Sequence, residues 1–118
     1  MRLTVLILLS LGLSACDTTP DLTPLQDTCR QIALGRIKHP DSYEGKTVQD
    51  EHYPDAKITT NLGFTAWNGY KVPVPYSIAC SFQQGPRTTA PTLLNIHWNG
   101  RPIRQTELDE IRAAFNLG

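Results

Sequence analysis

No charge of one sign dominates this sequence. Eleven lysines and arginines stand against eleven aspartates and glutamates, with no basic run and no acidic tail. Nucleic-acid binding draws on clustered cations that displace phosphate counterions, and lipid headgroups attract polybasic segments, so neither partner is expected. Familiar catalytic spacings are missing too. The chain has no His-Glu-x-x-His, no Gly-x-Ser-x-Gly and no Cys-x-x-Cys, the patterns that serve zinc hydrolysis, serine catalysis and dithiol redox chemistry. Long apolar runs are scarce as well. The longest, Leu3 to Leu13, is broken by Thr4, Ser10 and Gly12 and is too short to stay in a bilayer as a spanning helix.

That run has the anatomy of an export signal instead: Arg2 before it, then the small residues Ser14 and Ala15 and a cysteine, Cys16. Leu13-Ser14-Ala15-Cys16 resembles the lipobox of bacterial lipoproteins. The resemblance implies that the Cys16 thiol accepts diacylglycerol, that the signal is cut before it, and that the new amino group takes a further acyl chain such as palmitate. Residues 1–15 are then a signal peptide, 16–23 a lipidated tether and 24–118 one domain. A single chain of myristoyl length binds a membrane only marginally, whereas two or three hold it firmly, so the protein is expected to be anchored rather than spanning. Asp17 is similar to the residue that keeps enterobacterial lipoproteins in the inner membrane. A periplasm-facing inner-membrane site is therefore favoured, with the outer membrane as the alternative.

Lipid on Cys16 leaves two cysteines, Cys29 and Cys80, in an oxidising compartment, where a lone pair in a small exported domain forms a disulfide. Closing a loop of this length contributes ~4 kcal/mol in the chain-entropy description. The rival reading, a reactive or metal-binding pair, lacks neighbouring cations or a ligand motif.

Thr23, Pro24 and Gln26 form a capping-box start, and Leu25, Cys29, Ile32, Ala33 and Ile37 recur at helical spacing, which predicts a helix that Pro40 stops. Thr47 to Tyr53 reads as a short strand and Ile58 to Trp67 as a longer one with Ile58, Thr60, Leu62, Phe64 and Ala66 on one face. Asn68-Gly69 predicts a tight turn with positive φ at both residues. Pro73 and Pro75 suggest an edge or an extended arm. Tyr76, Ile78, Cys80 and Phe82 then alternate inward, followed by a strand with Thr92, Leu94, Ile96 and Trp98 in phase. Thr106 reads as the cap of a last helix with Leu108, Ile111 and Phe115 on one stripe. The class is α+β: an N-terminal helix, a three- to four-stranded antiparallel meander, a C-terminal helix, and helices over one face.

A cysteine-bearing helix, Ile37-Lys38-His39-Pro40-Asp41-Ser42-Tyr43, an Asn-Gly hairpin and Ile78-Ala79-Cys80-Ser81-Phe82 together resemble a group of small exported bacterial domains. The likeness covers Cys29 to Phe82 and implies an architecture and a disulfide, but no activity. For chemistry, His39, His52 and His97, with Asp41, Asp50 and Glu51 as company, are the candidate metal ligands, but their spacing fits no compact ligand motif. Ser42 reads as a turn serine, and Asp109-Glu110 as a helix-start pair. No catalytic, metal or cofactor residues are assigned. Trp67, Asn68 and Tyr70 cluster at a hairpin tip and are of the types that anchor interfaces; the other reading is that the two rings pack over the outer face of the sheet. The expectation is a non-enzymatic lipoprotein acting through protein–protein contact, as an accessory subunit of an envelope complex or an immunity or exclusion factor. The alternative is a small envelope hydrolase or metal-dependent enzyme.

Overall fold

The computed structural model describes residues 21–86 and 90–118. The lipobox, Cys16 and Asp17 lie outside these residues. Helix α1 (Pro24–Leu34) is followed by a 3-10 turn (Pro40–Ser42), five strands and a last helix, α2 (Gln105–Phe115). The strands are β1 (Glu44–Tyr53), β2 (Lys57–Trp67), β3 (Pro73–Gln83), β4 (Thr92–Trp98) and the two-residue β5 (Arg101–Pro102). They form one antiparallel sheet in chain order. The fold is α+β, with five strands where three or four were expected.

α1 starts where the capping residues put it. Thr23 Oγ1 accepts from the Gln26 N–H at 3.2 Å and Gln26 Oε1 accepts from the Thr23 N–H at 2.9 Å. It ends at Leu34, not at Pro40: Gly35 caps it, and Ile37 enters the core from the connection beyond the helix. Cys29, Ile32 and Ala33 face the sheet, and the Cys29–Cys80 disulfide fastens α1 to β3 with a Cα separation of 5.9 Å. Both helices pack on one face of the sheet, α1 over β2 and β3 and α2 over β4, and share a single core with Phe64, Phe82, Ile78, Leu93 and Ile96. The opposite face of β2 is polar, with Thr59 hydrogen-bonded to Ser81 across the strands at 2.8 Å.

Several local readings are corrected. β1 is ten residues long rather than seven, because Glu44 and Gly45 also pair with β2, with Lys46 left without a partner at the irregularity between Gly45 and Thr47. In β4 the phase shifts: Ser81 pairs with Asn95 but Phe82 with Leu93, leaving Leu94 as the extra residue, so Leu93 rather than Leu94 is buried. Arg104, not Thr106, occupies the N-cap position of α2. Pro73 and Pro75 pair with β2, and β4 joins β3 only from Ile78 onward, so the prolines sit where no second ladder needs their missing N–H groups.

Candidate functional site

The β2–β3 hairpin carries the residues singled out for partner contact. Its turn is built differently from a two-residue Asn-Gly turn. The Asn68 N–H donates to the Val72 carbonyl at 2.9 Å and the Lys71 N–H to the Asn68 carbonyl at 3.0 Å. Lys71, at φ 61°, takes the left-handed conformation, whereas Asn68 and Gly69 do not. This is the three-residue loop in which a type I turn is followed by one left-handed residue. The two-residue Asn-Gly turn occurs instead at Asn99 (φ 52°) and Gly100 (φ 83°), between β4 and β5.

Asn68 holds the tip in shape. Its side-chain oxygen accepts from the N–H groups of Tyr70 at 2.8 Å and Val72 at 3.1 Å. Ser42 supports the base: its hydroxyl donates to the His39 carbonyl at 2.6 Å and accepts from the Trp67 N–H at 2.8 Å. The His39 ring meets Trp67 edge-on with centroids 6.0 Å apart. Tyr70 is 88 % exposed, Val72 49 % and Trp67 41 %. Tyr70 therefore does not pack over the outer face of the sheet, and Trp67 is only partly covered.

Behind the tip the core face holds a row of rings. Tyr43 stacks on Phe64 at 4.6 Å, Phe64 on Tyr76 at 5.5 Å, and Tyr76 lies 5.5 Å from Trp98. The Arg36 guanidinium sits 4.8 Å over Trp98 and pairs with Glu107 of α2. Burial pulls the Arg36 pKa down and pushes the Tyr43 phenol up. This row gives the hairpin a stiff base.

The histidines do not converge. His39 is at the 3-10 turn, His52 is exposed on β1, and His97 is on β4 opposite Ala79. Glu51 is engaged by the Tyr53 hydroxyl, which raises the phenol pKa, and Asp109 by Gln105 and Arg112. Among the described residues, no group of three His, Cys, Asp or Glu side chains is placed to hold a metal ion. A groove does run between α1 and β1, lined by Asp27, Arg30, Tyr43, Val48 and Leu62. Sequence reasoning passed over it because the residues of β1 are almost uniformly exposed and leave no alternation to read.

No protein-family model, curated protein or solved structure matches the chain.

Proposed function

We propose that this chain is a non-enzymatic envelope lipoprotein, held at a membrane by lipid on Cys16 and engaging a protein partner through the β2–β3 hairpin tip. The observation that carries the binding reading is Tyr70, 88 % exposed on a turn whose backbone is fixed by Asn68. With the backbone of the turn already fixed, docking has only the Tyr70 side chain to order, so more of its contact area appears as affinity. Trp67 and Val72 widen the apolar patch beside it. Tyrosine and tryptophan are the side chains most often found as interface anchors.

The anchor reading rests on Arg2, the apolar run and Leu13-Ser14-Ala15-Cys16. Cys16 lies five positions before Asp21, and an extended chain covers at most ~3.6 Å per residue. A lipid on Cys16 would hold the domain close to the bilayer, on the periplasmic face of the inner membrane if Asp17 acts as its position suggests. An accessory-subunit role or an immunity or exclusion role would suit such a placement.

Crosslinking of the full-length protein in its own membranes, followed by capture and mass spectrometry, tests both parts. A stoichiometric partner lost on Tyr70→Ala or Trp67→Ala supports the hairpin as the docking site. Capture unaffected by either substitution overturns it. Cys16→Ser is expected to release the domain from membranes or leave an uncut precursor; an unchanged, lipidated membrane protein would refute the anchor.

A further inference from the structure

The free side of β1 is the feature that hairpin docking leaves unexplained. β1 pairs with β2 along one side and, among the described residues, with no strand on the other. Val48, 37 % exposed, lies opposite the buried Leu62, and Asp50 lies opposite the buried Thr60, so both point to the core side of the sheet. Lys46 lines the same groove as Val48. The Asp50 carboxylate accepts from Gln26 Nε2 at 3.0 Å and Thr60 Oγ1 at 2.9 Å. Both donors are neutral, and among the described residues no cation pairs with it. Among the described residues Lys46 pairs with Glu44 alone, at 3.3 Å and largely in solvent, an interaction of small worth.

We propose that two copies of this chain pair antiparallel through β1, with the two-fold axis passing at Val48. The spacing of the charges selects this register. With Val48 facing its own counterpart, Thr47 faces Gln49 of the second copy and Lys46 faces its Asp50, twice over by symmetry. Each carboxylate thereby gains a countercharge, and each exposed valine a neighbour. Centring on Asp50 would oppose two like charges, and centring on Thr47 would set Glu44 against Asp50. Centring on Gln49 leaves Asp50 against Val48 with no cation. The pairing ends at Lys46, because the irregularity between Gly45 and Thr47 turns Glu44 to the outer side, where it accepts from Thr65. β4 is closed on its far side by β5 and the last residues of the chain. The assembly therefore stops at two copies.

Directly opposed residues of antiparallel strands have Cα atoms ~4.5–5.5 Å apart, a spacing a disulfide can bridge. Full-length Val48→Cys protein, oxidised mildly in its own membranes and compared with the wild-type chain, is expected to run as a covalent dimer on a non-reducing gel. Co-expressed Thr47→Cys and Gln49→Cys chains should crosslink to each other far more than either does to itself. Glu51→Cys should stay monomeric, and adding Lys46→Glu to Val48→Cys should cut the dimer several-fold. Equal crosslinking of Val48→Cys and Glu51→Cys, or capture of a different protein in place of a second copy, overturns the proposal. Tyr70→Ala leaves the dimer intact, so failure of the hairpin reading and failure of this one are separable.

Discussion

The two edges of the sheet are treated in opposite ways. Along β4 nearly every backbone group that could reach out is occupied. The Leu93 N–H donates to the Leu117 carbonyl at 2.8 Å, the Ile103 N–H to the Ile96 carbonyl at 3.1 Å, and His97 and Trp98 pair with β5. Arg112 reaches down from α2, with Nε on the Leu93 carbonyl at 2.7 Å and Nη2 on the Leu94 carbonyl at 3.2 Å. Along β1 the main link to the helix layer is one side-chain bond, from Gln26 to Asp50. The chain spends its C-terminal helix and last residues on closing one edge and blunts the other only with charge and an irregular register. A protected edge beside an open one directs association to a single side.

The disulfide fastens α1 to β3 where the helix packs over β2 and β3. Breaking it is the largest perturbation available. Cys29→Ala with Cys80→Ala is expected to lose ~4 kcal/mol, since the bridged residues are 51 apart and the unbridged chain regains that loop's entropy. Thermal unfolding with and without reductant on the wild-type protein measures the same loss, and an unchanged midpoint would mean the sulfurs are not joined. Next comes the closed edge itself. Arg112→Met leaves the Leu93 and Leu94 carbonyls without their charged donor, a loss of about 2 kcal/mol in denaturant unfolding. Arg112→Lys should recover little, because one ammonium cannot reproduce the fork that spans both carbonyls.

What was legible in the sequence follows the same division. The start of α1 was readable because Thr23, Pro24 and Gln26 each make a local hydrogen-bonding or φ choice that needs no tertiary help. Cys29 and Cys80 were placed correctly because each lies in a stretch with one buried face, on α1 and β3, where burial writes a period into the chain. β1 was read too short because an edge strand exposed on both sides carries no such period. β4 was read out of phase because the bulge at Leu94 depends on its neighbour β3 and leaves no local mark. The hairpin tip was found as a cluster of residue types, but its turn was misread: Lys71, neither glycine nor asparagine, takes the left-handed position. β5 is two residues long and has no pattern to read. The groove between α1 and β1 and the free edge of β1, both products of pairing rather than of local sequence, were invisible for the same reason.

A smaller change probes how tightly β1 is held by its one neighbour. Gly63 on β2 lies opposite Thr47 on the outer face, and a Cβ there would come within 2.5 Å of Thr47 Oγ1. Threonine is branched at Cβ and stiff in χ1, so it cannot simply swing away. Gly63→Ala is expected to lose about 1 kcal/mol by pushing β1 outward, and Thr47→Ala in the same chain should restore most of it. Failure of that rescue, in a double-mutant cycle read by denaturant unfolding, would mean β1 is held by something other than its ladder with β2.

The smallest effect lies on the helix rim that faces the open edge. Asp27, in the first turn of α1, has its carboxyl held below the usual aspartate range, chiefly by the side-chain hydrogen bond from Arg30; burial opposes this, and the hydrogen bond from Gln31 and the charge of Arg30 add smaller lowering contributions. A carboxyl whose folded pKa is depressed stabilises the fold above its unfolded pKa of about 4, and that contribution is lost as acid takes the pH down through the folded value. Asp27→Asn is therefore expected to flatten the acid limb of the stability–pH curve while changing the neutral-pH midpoint only slightly, because the pair is partly open to solvent, which screens it. An acid limb left unchanged by Asp27→Asn would mean that the Asp27–Arg30 contact adds nothing to the pH dependence of the fold.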